Sequence, residues 1–85
     1  MFQPLKIELQ TPVTHGADEV RELTFARRMT AGDLRGVNVA RVLHDDIFEV
    51  ASRLTGQPPS VIRSLDIADY MAVAGVVTGF LDGSR

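Results

Sequence analysis

The stretch LTGQPPSVIRSLDIADYMAV, residues 54–73, decides how this chain folds. Gly56 can end a helix in the left-handed conformation, and the two prolines that follow prevent the helix from continuing. Ser60 is then expected to cap a one-turn helix, and Asp66 to cap a last helix with Asp69 at its third position. The stretch therefore predicts a double hinge that folds the last helix back onto the middle one, the longer helix that ends before Gly56.

Two helices are expected before this hinge. Apolar residues recur at helical spacing over residues 39–54, and the opposite face carries charges, including Glu49 and Arg53 at a spacing that favours an ion pair. Further upstream, Thr30 and Asp33 resemble a capping box at the start of a short helix. The middle of the chain is therefore predicted to be helical.

The N-terminal part has the pattern of a β-hairpin. Residues 5–10 alternate between apolar and polar, Pro12 is expected to end this strand, and residues 14–18 supply turn chemistry. A second extended run follows at residues 19–25. Its apolar residues share one face only if a bulge lies near Arg21 or the strand starts later. A hairpin is marginal alone in water, so this one must pack on the helices.

Length and composition predict one small globular domain. The chain has 85 residues, of which 45% are hydrophobic and 24% charged, an ordinary balance for a globular protein. A chain of this size buries roughly 60% of the surface that it exposes when unfolded. We predict an α+β fold with a single domain over residues 1–85, in which a hairpin at about 4–26 packs on three or four helices within about 31–82.

Composition also limits the possible functions. There is no cysteine, which excludes disulfides and thiolate metal sites, and the formal net charge is −2, which gives no global attraction to nucleic acid. The longest uncharged apolar run, residues 70–81, is shorter than the roughly 20 residues that span a bilayer. The N-terminus lacks the pattern of a signal peptide. We expect a cytosolic protein that does not enter the membrane.

No residue pattern indicates catalysis or metal binding. His44 and Glu49 are five residues apart, about 140° around a helix, and no second histidine is near in sequence. Neither a glycine-flanked nucleophilic serine nor a phosphate-binding loop occurs. Asp66 and Asp69 are interpreted as helix caps rather than as an acid–base pair. We predict a non-enzymatic protein with no catalytic residue, metal or cofactor.

A DNA-binding regulator is the alternative function. Residues 49–65 faintly resemble a helix-turn-helix, but the step from alanine to glycine is one residue too long, and Arg63 is the only cation in the second helix that could contact a base. Arg27 and Arg28 lie together without interleaved aromatic residues, as solvated charges do. Nucleic acid is therefore not the expected partner.

The last helix contains the most unusual segment, YMAVAGVVTGFL, residues 70–81. It has no charge, so it is apolar around most of its circumference, whereas a single small core needs only one apolar stripe. Gly75 and Gly79 lie on one face, where another backbone could approach. Either this helix is wholly central to the fold, or its second face is an interface with another subunit or partner. The small number of residues available to cover it favours the interface.

Several motifs together resemble the tail assembly chaperone family of contractile-tailed (Mu-like) temperate bacteriophages. They are ELTFARRMTAGDLRG at residues 22–36, ASRLTGQPPSVIRSLDIADYMAV at residues 51–73, and VVTGFL at residues 76–81. The resemblance covers nearly the whole chain and departs most at residues 36–47. It implies a non-enzymatic protein in the cytoplasm of the bacterial host, which binds the tape-measure protein and keeps it soluble during tail assembly.

The last helix is the expected partner-binding surface in this interpretation. A tape-measure protein is expected to be long and helical, so its chaperone needs an apolar surface that accepts amphipathic helices. A homo-oligomer formed through the same helix is also compatible with the pattern. The partner-binding candidates are Tyr70, Met71, Val73, Ala74, Val77, Phe80 and Leu81.

Overall fold

A computed structural model of the chain describes residues 3–82, and it shows the predicted α+β architecture. A two-stranded antiparallel hairpin comes first, and one 3₁₀ helix and three α-helices follow. The elements are β1 (Leu5–His15), β2 (Asp18–Phe25), the 3₁₀ helix (Ala31–Leu34), α1 (His44–Thr55), α2 (Pro59–Arg63) and α3 (Ile67–Leu81).

The hairpin is longer than the sequence predicts. Pro12 was expected to end the first strand, but β1 continues through it to His15, and the two-residue turn starts at Gly16 with φ 62°. The expected bulge does lie at the level of Arg21, although the additional residues belong to β1. Glu8 pairs with Glu22 and Val13 pairs with Val20, so residues 9–12 lie opposite Arg21 alone. Pro12 is tolerated because it lies inside this irregular segment, where no hydrogen bond from a backbone amide to β2 is required.

Asp69 of α3 forms hydrogen bonds with this irregular segment of β1. Its carboxylate accepts hydrogen bonds from the backbone amides of Gln10 and Thr11, both at 3.0 Å, and the residue is 3% exposed. The interpretation of Asp69 as part of a cap for its own helix is therefore wrong. Asp66 does cap α3, because its carboxylate accepts from the amide of Ala68 at 3.2 Å. The bulge leaves two amides without a strand partner, and the buried carboxylate satisfies both.

The helix after the 3₁₀ segment starts later than the apolar pattern suggests. It was predicted to include Val39, but α1 begins at His44, and Val39 is 65% exposed. Asn38 explains the difference, because its side-chain oxygen accepts from the amide of Ala40 at 3.0 Å and holds a turn. Asp46 then accepts from the amide of Leu43 at 2.9 Å and fixes the first turn of α1.

The double hinge has the predicted form. Gly56 ends α1 in the left-handed conformation at φ 76°, where a side chain would be strained. The cap of α2 is Pro58 rather than the predicted Ser60, because Pro59 at the first helical position has its φ already fixed for a helix. The two turns bring α3 back against α1 and against β1. The hinge thus places α3 in contact with both α1 and the hairpin.

The core lies between one face of the hairpin and the three helices. Its most deeply buried side chains come from β2, α1, α2 and α3 and have less than 2% exposure; the largest of them are Phe25, Leu23, Ile62, Val50, Val61, Val73 and Val77. Phe25 and Phe80 join the second strand to the last helix, with ring centroids 6.3 Å apart. Every layer of the described chain therefore contributes to one cluster.

A polar cluster fixes the 3₁₀ helix. Both nitrogens at the end of the Arg27 side chain donate to the Asp33 carboxylate at 2.7 Å, and the amide of Thr30 donates to it at 2.8 Å in the predicted capping box. Arg53 on α1 donates to the carbonyl of Asp33 at 2.6 Å. The hydrogen bonds from Arg27 hold the pKa of the Asp33 carboxyl well below its usual range. Arg27 is thus a structural residue rather than only a solvated charge.

Candidate partner-binding surface

The seven partner-binding candidates on α3 lie in three environments. Val73 and Val77 are fully buried, and Tyr70 and Phe80 are 7% and 8% exposed, so all four pack within the domain. Ala74 and Leu81 are half-buried at the edge of the core. Met71 is 60% exposed. The part of this set that a partner can reach is therefore Met71 with the edges of its neighbours.

Four large apolar side chains of the described chain remain exposed. They are Val39, Leu43, Ile67 and Met71, with exposures of 65%, 52%, 68% and 60%. Leu43 immediately precedes His44, whose Nδ1 lies 2.7 Å from the hydroxyl oxygen of Tyr70, and Met71 immediately follows Tyr70. The hydrogen bond between His44 and Tyr70 therefore holds the start of α1 and the start of α3 together, and each partner has an exposed apolar neighbour in the sequence.

A mostly apolar cleft of about 390 Å³ lies at this end of α3. The rings of Phe48 and Tyr70 form its floor, with centroids 5.3 Å apart, and Tyr70 also lies against the His44 ring at 5.7 Å. Burial raises the pKa of the Tyr70 hydroxyl, so it stays neutral. The lining residues of this N-terminal cleft are His44, Phe48, Ile62, Arg63, Leu65, Ile67 and Tyr70.

A second cleft, of about 580 Å³, lies at the other end of α3. Its walls come from the 3₁₀ helix, from the irregular segment before α1 and from the last turn of α3. Two of the partner-binding candidates, Phe80 and Leu81, are among its lining residues. The lining residues of this C-terminal cleft are Met29, Thr30, Ala31, Leu34, Val39, Val42, Thr78, Phe80, Leu81 and Asp82.

One stripe of α3 connects the two clefts. Residues at positions 67, 71, 74, 78 and 81 follow one another at steps of three and four and so share a side of the helix. They are Ile67, Met71, Ala74, Thr78 and Leu81, and none is charged. The stripe is about 21 Å long at 1.5 Å per residue. We call the two clefts and this stripe the α3 groove.

Charge is found only at the ends of the α3 groove. Arg63 lines the N-terminal cleft and Asp82 lines the C-terminal cleft. The Asp66 carboxylate caps the first turn of α3 at the same end as Arg63, and the last turn adds negative potential beside Asp82.

Among residues 3–82, no group of three or more potential metal ligands lies together, and no buried side-chain nitrogen or oxygen lacks a hydrogen-bond partner. The two buried carboxylates, Asp33 and Asp69, are both committed to hydrogen bonds within the fold. Helix α2, proposed from sequence as part of a helix-turn-helix, has five residues, shorter than a recognition helix needs.

Sequence reasoning missed most of the groove outside α3. From the sequence, His44 was considered as a metal ligand without a suitable partner, and its contact with Tyr70 joins residues 26 positions apart. No local pattern signals such a contact. The exposed Val39 and Leu43 were assigned to a buried helical stripe, and only the later start of α1 turns them outward.

Comparison with known proteins identifies the class of molecule that carries this groove. The model of a family described as phage tail assembly chaperone proteins, E, or 41 or 14, matches residues 6–82. This chain belongs to that family of phage tail assembly chaperones.

Two relatives come from Escherichia phage P2. Tail assembly protein E is 34% identical, with 88% of this chain and 87% of that protein covered. Tail assembly protein E′ is also 34% identical over the same share of this chain, but the match covers 56% of its length. No solved structure matches the chain significantly.

Family membership implies a non-enzymatic role and a phage tail protein as partner. No helix within residues 3–82 is both long and apolar enough to cross a membrane. The resemblance seen in the sequence motifs is therefore confirmed at the level of the family.

Proposed function

We propose that this protein binds the tape-measure protein of its phage and keeps it soluble in the host cytoplasm until the tail tube forms around it. The single observation that carries the proposal is the α3 groove, an exposed and largely apolar surface with charge only at its ends, in a chaperone of tail assembly. Apolar patches on small proteins mark binding sites, because their exposure to water is otherwise unfavourable. A chaperone of this kind needs such a surface.

The shape of the groove fits an amphipathic helix of the partner. We expect the two clefts to accept two large apolar side chains on one face of a helix, with small side chains between them over Ala74. Tyr70 contributes to one cleft, Phe80 and Leu81 contribute to the other, and Met71 lies between them with an adaptable side chain. Val73 and Val77 support this surface from beneath.

The test is co-expression with the tape-measure protein encoded in the same phage or prophage, followed by affinity purification and mass determination of the complex. We expect a defined complex and a soluble partner. The Met71→Glu variant places a charge in the stripe and should weaken the complex at least tenfold. Ala17→Glu, at the exposed hairpin turn, is the matched control and should retain it. Failure of the unmodified, folded protein to bind would refute the proposal.

A further inference from the structure

Positive charge is concentrated in the stretch that joins β2 to α1. Residues 27–41, which we call the arginine segment, contain four arginines and one aspartate, whereas the whole chain has a formal net charge of −2. The aspartate, Asp33, is buried and accepts two hydrogen bonds from Arg27 at 2.7 Å. The other three arginines are exposed; they are Arg28, Arg35 and Arg41. The surface of the arginine segment is therefore positive.

Two of these charges have no counter-ion inside the described chain. Arg35 and Arg41 form no ion pair with any residue in the range 3–82. By comparison, Arg21 on β2 and Arg53 on α1 each pair with a glutamate. Water solvates an exposed guanidinium well, so the fold does not require a partner for either residue. Both charges are therefore available to a bound ligand.

The arginine segment forms one wall of the C-terminal cleft. Met29, Leu34 and Val42 line this cleft, and each is next in sequence to an arginine. Because consecutive Cα atoms are about 3.8 Å apart, the arginine backbones lie at the rim of the apolar lining. Arg53 of α1 holds this wall in place, since it donates a hydrogen bond to the carbonyl of Arg35 at 3.2 Å. The fold therefore fixes a positive rim beside an apolar cleft.

The wall that α3 contributes to the same cleft has the opposite charge. Asp82 caps the C-terminus of α3 and lines the cleft, and the last turn of the helix contains no basic residue. The last carbonyl groups of the helix add further negative potential. A ligand in the cleft therefore meets positive charge at one wall and negative charge at the other, so the cleft discriminates between the two edges of a bound helix.

We propose that the C-terminal cleft binds an amphipathic helix of the tape-measure protein that carries carboxylates on the edge facing the arginine segment. This inference rests on the proposed function and adds the chemistry by which one part of the partner is recognised. Apolar side chains of that helix fill the cleft, its carboxylates pair with Arg35 and Arg41, and its edge beside Asp82 carries no acidic residue. Ion pairs at an exposed rim add little affinity each, but they reject segments of the wrong charge and fix the orientation of the helix.

The lining of the cleft favours a protein segment over a nucleic acid as the anionic ligand. Apart from Asp82, the lining residues are uncharged and mostly apolar, so the cleft accepts apolar side chains rather than phosphates. A nucleic acid binds through many phosphate contacts at once, and here it would meet the carboxylate of Asp82 and a chain of net negative charge. An acidic amphipathic helix is complementary to both the apolar lining and the positive rim.

Overlapping synthetic peptides from the tape-measure protein of the same phage or prophage test the expected chemistry of the partner. A length of about 25 residues gives helices that are longer than the α3 groove. Each peptide is titrated with the full purified chain, and the affinity is measured by fluorescence anisotropy at low salt. The tightest peptides should carry aspartates or glutamates along one flank of an apolar helical stripe, and their affinity should fall as salt is added.

Charge reversal of Arg35 and Arg41 tests the ion pairs themselves. The double variant Arg35→Glu/Arg41→Glu should bind the tightest peptide at least tenfold more weakly, whereas Arg35→Lys/Arg41→Lys should bind it within about threefold of the native chain. Arg21→Glu, exposed on β2, is the matched control and should bind as the native chain does. Lysines in place of the peptide's carboxylates should restore binding to the double variant. Circular dichroism verifies that each variant is folded.

Different results separate failure of this inference from failure of the proposed function. Undiminished binding by the double variant, or tight peptides without acidic flanks, would overturn the inference and leave the proposed function intact. A short DNA duplex that displaces the peptide and loses affinity for the double variant would also overturn it, in favour of a nucleic acid. The same variants are compared in the co-expressed complex with the full-length tape-measure protein, where the double variant should retain less partner. Absence of any complex with the native chain would refute the proposed function and this inference with it.

Discussion

Helices α1 and α3 each pack one side against the same core, but their outer sides differ. The outer side of α1 carries charges that are used inside the domain: Arg53 pairs with Glu49 at 3.9 Å and donates to the carbonyl of Asp33. The outer side of α3 carries no charge between Ile67 and Thr78. A helix that only completes a core would be expected to resemble α1. The difference supports the proposal that the outer side of α3 is a binding surface.

The largest expected effect is a difference in stability between a substitution on the buried side of α3 and one on its exposed side. Val77→Asp buries a carboxylate at a position with no exposure, and we expect it to cost about 4 kcal/mol or more, enough to unfold a small domain. Thr78→Asp, one residue further and exposed, should cost about 0.5 kcal/mol. Circular dichroism in urea measures both. Similar losses for the two variants would contradict the assignment of the sides.

The next effect concerns the polar cluster around Asp33, whose backbone carbonyl accepts a hydrogen bond from Arg53 of α1. Asp33→Asn removes the charge that Arg27 holds, and we expect a loss of about 2–3 kcal/mol at neutral pH. The pKa of the Asp33 carboxyl is lower in the folded protein than in the unfolded chain. The unfolded chain therefore binds the proton at a higher pH than the folded protein does. The stabilisation is therefore present above the unfolded pKa of about 3.9 and is lost as pH falls through the folded pKa.

Urea unfolding at several pH values tests this prediction. The difference in stability between the native protein and Asp33→Asn should shrink as the pH is lowered from 6 towards about 3. Asp45→Asn, exposed on α1, is the control and should show little difference at any pH. A difference for Asp33→Asn that grows on acidification would contradict the account.

A smaller effect is expected on binding alone. Met71→Glu should weaken the tape-measure complex at least tenfold, about 1.4 kcal/mol, because the stripe would have to bury a charge. The melting temperature should change little, since Met71 is 60% exposed. Isothermal titration calorimetry and thermal unfolding measure the two quantities. A large fall in melting temperature would show that Met71 belongs to the core.

The smallest effect is a gain in stability. Gly75→Ala should stabilise the free monomer by up to about 1 kcal/mol, because alanine is a better helix former and its β-carbon meets no neighbour. Denaturation in urea measures this gain. A destabilised monomer would mean that the glycine serves the fold after all.

Local sequence patterns predicted the order of the strands and helices and the hinge between them. Contacts between residues that are distant in sequence determine the remaining details, such as the path of β1. Gly56 and Asp66 fixed the hinge because their roles depend only on nearby backbone. The path of β1 through Pro12 depends on Asp69, which is 58 residues from Thr11. Such a contact leaves no trace in a local pattern. Hence the hairpin was predicted but its length and irregularity were not.

The candidate surface was predicted in part for the same physical reason. A helix that is apolar around its circumference indicates contacts on more than one side, but it does not show which side faces the core and which side faces a partner. The sequence therefore named Val73 and Val77, which face the core, together with Met71, which faces solvent. Residues opposite α3 in the groove, such as His44, follow only from the packing of α1 against α3.

Methyl NMR of the methionines offers the most direct test of the central claim that the α3 groove binds the tape-measure protein. The chain has three methionines; Met71 lies in the stripe and Met29 lines the C-terminal cleft. Titration with a soluble tape-measure segment should shift or broaden the Met71 signal first and the Met29 signal with it, with assignments from Met71→Leu and Met29→Leu. Binding that leaves both signals unchanged would place the partner elsewhere and contradict the account.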